Sequence, residues 1–564
     1  MNSPDINSFT DAMNQLHHLL DTSPSLRPAV ILALDEAAQT NYPAEAALDA
    51  LGMMSALATD ENGLPVASMP ELMALLRTLS QRDLALGLGY ALTTFMAATN
   101  VWVAGSAEQK QQCNDLLADG KKISIAYHEL DHGNDFGSNQ LTAEPVPGGY
   151  LLNGRKQVIN NIGRAGALVL QARTSADQGM RTHSLMLIDF ADLDAAHYKI
   201  LPRFITQGVR GCQIAGIEFS NCFVADSCLL GKDGMAFSYA LTAFQITRAL
   251  LPGVSLGTID SALTIATRYC SQRQLYGADL LALPHVRGEL SHAWLEYSLC
   301  DNLCYAVARG LHVVPAEMSV LGSLCKAQVP LRMRAVLKKL ALVLGSRYYL
   351  REGEAALFEK IVRDYPVVSL GHASSLTCQA ALAPQLPLIF KRFEQPRDDL
   401  QQSLQQLFSA NVLPPFSPRA LKLTSAGKDL LFQSIHYWPQ HITSLISAGS
   451  LSTIEGFGIL QRLTRLHAHC TQLCERVFAA DSLQAFDAVQ HYAWLQCAMA
   501  TLGRWCFDLQ SPFAGQVNYL TSCLDFVFAQ LTQRAFFFDE ETENAIISYL
   551  QQHSDAATHC ALTH

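Results

Sequence analysis

The stretch Gly-Tyr-Leu-Leu-Asn-Gly-Arg-Lys-Gln-Val-Ile-Asn-Asn, residues 149–161, decides how the rest of this chain is read. Tyr150-Leu151-Leu152 is a short apolar run, and Asn153-Gly154 follows it at once. Asn-Gly between two such runs predicts a two-residue hairpin, because both turn positions need positive φ. The surroundings have the same texture. Short apolar runs at 167–172, 184–190 and 216–223 alternate with Gly, Pro and Asn. Residues 121–232 therefore read as a β-domain of antiparallel type.

On both sides the texture is helical. In residues 1–120, Leu72, Leu76 and Leu79 recur at helical spacing, and Ser106 with Gln109 three residues on predicts a capping box. In residues 233–395, Leu256, Ile259, Leu263, Ala266 and Tyr269 form one face of a long amphipathic segment. Residues 396–564 open with a Gln-rich passage and Pro-Pro-Phe-Ser-Pro (414–418), then return to helix. This additional C-terminal helical domain is expected to cover apolar surface of the main body or a dimer interface. The sharper alternative is a docking surface for a carrier protein. The fold class is α+β, with a β-module set between helical halves.

Composition narrows the function. Apolar residues make up 49% and charged residues 16%, which fits a large packed core and excludes a disordered chain. A net charge of −10 without a Lys/Arg-rich run argues against nucleic acid. The fifteen cysteines are odd in number and include no Cys-x-x-Cys pair. Cys300 with Cys304, and Cys470 with Cys474, are one helical turn apart, which suggests shared burial in a reducing cytoplasm rather than a metal. The start at 1–10 is polar, and no uninterrupted apolar run reaches the roughly 18 residues of a membrane span. A soluble, cytoplasmic protein is the expectation. No Gly-x-Gly-x-x-Gly follows a strand, and no Gly-x-Ser-x-Gly stands at a strand-to-helix elbow.

The chemistry-bearing segments run in a definite order. Ala-Tyr-His-Glu-Leu-Asp-His-Gly-Asn-Asp (126–135) comes first and Gly154–Asn161 next. Gly208-Val209-Arg210-Gly211, Thr247-Arg248, Arg273-Gln274-Leu275-Tyr276-Gly277 and Arg363-Asp364 follow. In that order, over about residues 60–395, they resemble the acyl-CoA dehydrogenase family, flavoenzymes that desaturate acyl thioesters. The resemblance implies FAD between the β-domain and the helical bundle, in a homodimer or tetramer.

It also implies roles, residue by residue. The family's Thr-Glu-x-x-x-Gly-Ser-Asp loop along the flavin corresponds to 128–135, with His128 at the Thr position and Asn134 at the Ser position. The family's strand over the flavin corresponds to 154–161, where Val158 replaces the usual Trp and Asn160 approaches the ring. Arg273 and Gln274 would hold the cofactor pyrophosphate across a subunit contact, as a guanidinium's bidentate reach allows. Arg248 would shape the acyl site.

The proton acceptor is where the chain departs most. Counting from Arg363-Asp364 puts His372 at the family's carboxylate position and Ala373 at its glycine; a slip of two would put Leu370 there. Thr247 occupies the alternative position for a carboxylate base. A neutral imidazole can take a proton near neutral pH, so His372 is the candidate base.

Two readings of function follow. The first is a flavin-dependent dehydrogenase of an acyl-CoA or acyl-carrier-protein thioester, in a specialised biosynthetic pathway. The alternative keeps the fold for a non-redox reaction on the thioester, with His128 and His372 as its polar centre, or for a non-catalytic partner subunit. A competing motif also stands: 128–132 spells His-Glu-x-x-His, a zinc-peptidase signature that works only on a sustained helix. Gly133-Asn134 follow directly and strand-like residues precede it, so no metal is expected there.

Overall fold

The computed structural model describes residues 9–555 except 178, 180 and 512. The polar start at 1–8 and the final residues 556–564 lie outside the described residues. The chain divides into two compact units. The first holds 1–247, 360–367 and 415–423, and the second holds 248–359, 368–414 and 424–564.

In the first unit, helices such as Met69–Arg82 and Ala107–Ala118 precede the sheet. Leu72, Leu76 and Leu79 are buried along Met69–Arg82, as their spacing predicts. Ser106 and Gln109 form the reciprocal capping box, an arrangement that satisfies two of the N-terminal amides a helix leaves open.

The sheet has eight strands: β1 (Ile123–Ala126), β2 (Thr142–Val146), β3 (Gly149–Asn160), β4 (Ala167–Arg173), β5 (His183–Asp189), β6 (Tyr198–Ile200), β7 (Ile214–Ala225) and β8 (Leu229–Leu230). Their order is β6-β7-β3-β2-β4-β5-β8, with β1 added to β4. Leu152, Ile159, Leu170, Ile188 and Ile217 meet in its core.

Two expectations need correction here. The sheet is mixed, because β1 pairs parallel with β4 and β2 touches β4 in parallel at Thr142 and Arg173. β1 arrives from the helical part and not through a hairpin, so no tight turn sets its direction. Nor do Asn153-Gly154 make the hairpin turn. The turn is Pro147-Gly148, since Val146 faces Gly149 across the β2–β3 pair. Gly154, at φ 121°, instead marks a register shift in the pairing of β3 with β7. Positive φ serves a β-bulge as well as a turn, and that ambiguity misplaced the hairpin by six residues.

A buried charge network anchors residues 360–367 in this unit. The Lys360 ammonium lies 2.6 Å from both Asp83 and Asp364 carboxylates. Asp364 accepts from the Val209 amide at 2.7 Å, and Arg363 pairs with Asp35 at 2.7 Å. A Cβ on Gly208 would come within 2.2 Å of the Arg363 carbonyl oxygen, so only glycine allows this approach.

The second unit is helical. Pro252–Gln272, Pro284–Val313 and Met318–Leu344 pack as a bundle. Leu256, Ile259, Leu263 and Ala266 are buried as predicted, while Tyr269 is only partly so. The later helices Leu483–Phe507, Val517–Thr532 and Glu540–Asp555 lie against Pro284–Val313. Trp294 meets Phe513, Tyr519 and Tyr549 edge-on at 5.0 to 5.7 Å. Arg504 pairs with Asp301 at 2.8 Å, and Arg309 bonds the carbonyls of Gln406, Leu407 and Ser409. The bundle buries apolar surface under these helices, as a covering layer does.

Two helical stretches, Leu84–Ala104 and Ala236–Gln272, reach membrane-spanning length and mean apolarity although polar residues interrupt both; 89% of each apolar window is buried within the protein. A helix apolar all round is what a core position requires. None of the described cysteines forms a disulfide.

Candidate functional site

In the first unit the site is built on β3 and the turn 127–136 laid over it. The Gln157 amide donates to the His128 carbonyl at 3.0 Å, and the Leu130 amide lies 3.4 Å from the Gln157 side-chain oxygen. Beneath them Lys156, fully buried, donates to Glu129 at 2.9 Å and to the Tyr127 carbonyl at 3.3 Å. Glu129 also accepts from the amides of Gln140 (2.8 Å) and Leu141 (3.0 Å). Burial pushes the Lys156 ammonium down to about 8 against the pull of Glu129. Burial works against the Glu129 carboxylate too, yet Lys156 and the two amides hold it below its ordinary value.

This geometry removes the premise of the zinc-peptidase reading. Residues 128–132 form a turn, and both oxygens of Glu129 are occupied by Lys156 and backbone amides.

His128 is half-buried and packs edge-on against Phe136 at 5.3 Å, with Tyr127 and Phe244 behind. Burial lowers its pKa, so it is neutral at pH 7. Its Nδ1 lies 3.1 Å from the Gly133 carbonyl. A carbonyl only accepts, so Nδ1 carries the proton and Nε2 is left as an acceptor. Asn134 stands in the same turn, exposed.

Val158 and Asn160 occupy the end of β3. A second register shift falls between Lys156 and Ile159, and there Val158 adopts φ 57° with 46% of its surface exposed. A β-branched residue is strained in the left-handed region, a feature that concentrates at functional sites. Asn160 donates to Thr93 at 2.8 Å and to the Leu88 carbonyl at 3.3 Å, while its buried side-chain oxygen has no partner among the described residues. An unpaired buried acceptor costs about 1–3 kcal/mol unless something donates to it.

In the second unit a different group of residues meets. Arg248 is buried, its Nη1 3.4 Å from the Ser323 hydroxyl. Ser323 and Lys326 lie three apart on the helix Met318–Leu344 and so share a face. Lys326 is fully buried and donates to the carbonyl of Val368, in the short helix Pro366–Leu370. Burial pushes its pKa down to about 8. The turn that follows carries His372 (φ 53°) and Ala373 (φ 66°), both left-handed. Ala373 is buried with Ala327 and Cys378, while His372 is half-buried and Leu370 is 65% exposed. Thr247, in the first unit, is buried, its hydroxyl 3.3 Å from the Phe244 carbonyl of its own helix.

Arg273 and Gln274 are exposed at the end of Pro252–Gln272. They open a two-stranded hairpin, β9 (Gln274–Leu275) with β10 (Ala278–Asp279). Its turn residues Tyr276 and Gly277 both have positive φ, and Tyr276 is 92% exposed. Lys326 was not among the residues expected from sequence. Its signal is a lone lysine in the apolar run Val-Leu-Gly-Ser-Leu-Cys-Lys-Ala, 320–327.

Comparison with known proteins gives the frame for this geometry. Residues 234–372 match the acyl-CoA dehydrogenase C-terminal domain, so the match ends on His372. The mitochondrial isovaleryl-CoA dehydrogenase of Oryza sativa subsp. japonica is 26% identical over 41% of this chain and 56% of its own length. The L-prolyl-[peptidyl-carrier protein] dehydrogenase of a Serratia species is 26% identical over 39% of this chain and 57% of its own. The chain thus spans a little over half the length of these curated relatives. Among solved structures, butyryl-CoA dehydrogenase from Megasphaera elsdenii has a TM-score of 0.62 at 19% identity, covering 68% of this chain and 99% of that one. PigA, solved with FAD and proline, gives 0.61 at 17% identity, covering 68% and 99%. Motif order, domain match and fold agree in their likeness to the acyl-CoA dehydrogenase family: the fold is of that type, and residues 234–372 match the family's C-terminal domain.

Proposed function

We propose that this chain is a flavin-dependent oxidoreductase acting on an acyl thioester. The observation that carries this reading is Asn160, whose buried oxygen is unpartnered beside the left-handed, exposed Val158. A flat heterocycle with N–H donors answers both features: it satisfies the acceptor and covers the bulge. FAD fits that chemistry, and when bound it would supply the acceptor for the hydride, with its two electrons, that leaves the acyl β-carbon.

The chain's own residues divide the remaining work. Asn160, Val158, His128 and Asn134 would contact the flavin, with His128 Nε2 offering an acceptor at its edge. Arg273 and Gln274 would reach the pyrophosphate from a neighbouring copy, which suits an exposed hairpin and a homo-oligomer. His372 takes the α-proton of the thioester, and Arg248 lines the acyl pocket. Lys326 holds the turn that carries His372. The name of the Serratia relative supports a carrier-protein thioester, with coenzyme A as the other carrier, and we assign the enzyme to a specialised biosynthetic pathway. We place the enzyme in the cytoplasm, where free cysteines such as the buried Cys300 and Cys304 stay reduced.

One observation favours a second reading. His372 stands where the family has a carboxylate, so the fold could serve a non-redox reaction on the same thioester. The visible spectrum of the purified protein tests the first reading. Near-stoichiometric flavin, released on denaturation, is expected. A colourless protein that takes up no added FAD would overturn it.

A further inference from the structure

We propose that Glu394, His436 and His467 form a binding site for one divalent transition-metal ion, zinc above all. The proposal is independent of the flavin reading.

The three residues come from three separate elements of the second unit. Glu394 follows the helix Leu386–Lys391, His436 ends the short helix Ser434–His436, and His467 lies on Thr453–Cys474. One ligand atom from each falls within 4.8 Å of the others. Glu394 Oε2 is 3.9 Å from His436 Nε2, too far for a hydrogen bond but suited to two ligands flanking one ion. The two imidazoles stand edge to face at 5.2 Å.

The surroundings hold this arrangement. The Phe393 ring packs against both imidazoles, at 4.5 Å from His436 and 5.9 Å from His467. Without an ion, His436 Nε2 donates to the Phe393 carbonyl at 3.2 Å, a bond that metal binding has to displace. Binding the ion through Nε2 requires the tautomer with its proton on Nδ1. The Glu394 side chain is 66% exposed, so ions and completing water ligands can enter from solution.

Ligand chemistry selects the metal. Two imidazoles with one carboxylate suit Zn²⁺ and its neighbours Co²⁺, Ni²⁺ and Cu²⁺. Ca²⁺ and Mg²⁺ need oxygen donors in larger number. Cys470 and Cys474 follow His467 at helical spacing, and Glu394 is near enough to act electrostatically on both thiols. They are the competing ligands on this face. A second histidine pair, His469 and His491, stacks at 5.2 Å with a 2.9 Å contact, and it provides an internal control.

The test uses the full-length, untagged protein stripped of metal by a chelator. Calorimetric titration with Zn²⁺ is expected to show one saturable site. His467→Ala and Glu394→Gln should each weaken it at least tenfold, with unchanged circular dichroism, while His491→Ala leaves it intact. Absence of saturable binding in the wild type would overturn the proposal, as would wild-type affinity retained in the two ligand variants. The Co²⁺-loaded protein separates the donors further. A visible spectrum without an intense near-ultraviolet sulfur band supports the trio. A strong sulfur band that is lost in Cys474→Ser would move the ion to the thiols and contradict it.

Discussion

The fully buried Lys326 ammonium donates to the carbonyl of Val368, four residues before His372. A lysine inside an apolar helix is costly, and this one holds the segment that leads into two left-handed residues. Ala373, packed with Ala327 and Cys378, fixes the far side of the same turn. Lys326 is therefore a positioning residue for the imidazole.

Lys326→Met keeps the apolar stem and removes the donor. Thioester turnover is expected to fall by about 10²-fold, the scale of an ångström-sized misplacement, mainly in kcat with KM little changed. Equal loss in binding alone would refute the positioning role.

The same substitution has a pH signature in stability. The Lys326 pKa in the folded protein is pushed down to about 8 from an ordinary 10.5. The unfolded chain thus binds more protons between those values, and this residue's contribution to stability rises as pH climbs from 8 to 10.5. Lys326→Met lacks that contribution. Its stability relative to wild type should be highest at pH 8 and decline towards pH 10, by about 3 kcal/mol at most. Denaturant unfolding of both proteins across that range is the check, and a constant difference would contradict it.

Glu129→Gln removes the charge that Lys156 faces. Leaving a buried ammonium without its partner is expected to cost about 3–5 kcal/mol, read as a lower denaturation midpoint. A neutral outcome would show that the pair does not hold the 127–136 turn to β3.

Arg273→Ala is expected to reduce flavin retention about tenfold or more, the worth of one charged hydrogen-bonding contact. The ratio of flavin to protein absorbance after gel filtration measures it. Unchanged occupancy would remove Arg273 from the cofactor site.

How far the sequence could be read depended on the range of the interactions. The capping box at Ser106 and Gln109 and the apolar face from Leu256 to Ala266 are local, and both were legible. Asn153-Gly154 were misread because positive φ marks a bulge as readily as a turn. The parallel β1–β4 pairing was hidden, since strand direction across 40 residues leaves no periodicity. Arg363-Asp364 and Gly208–Gly211 were both noticed, yet only folding shows Asp364 accepting from Val209. Glu394, His436 and His467 lie too far apart in the chain to form a motif. Lys326 could have been suspected from its apolar neighbours, but its partner Val368 offers only a backbone carbonyl.

The proton acceptor bears the greatest weight, and His372→Ala addresses it with the flavin as its own reporter. An acyl thioester is added anaerobically to wild type and variant, and the flavin absorbance is followed by stopped flow. Wild type should bleach, and the variant, still carrying its flavin, should bleach about 10²- to 10⁴-fold more slowly. Equal rates in the two proteins, or a wild type that stays yellow with every acyl-CoA and carrier-bound thioester offered, would contradict the account.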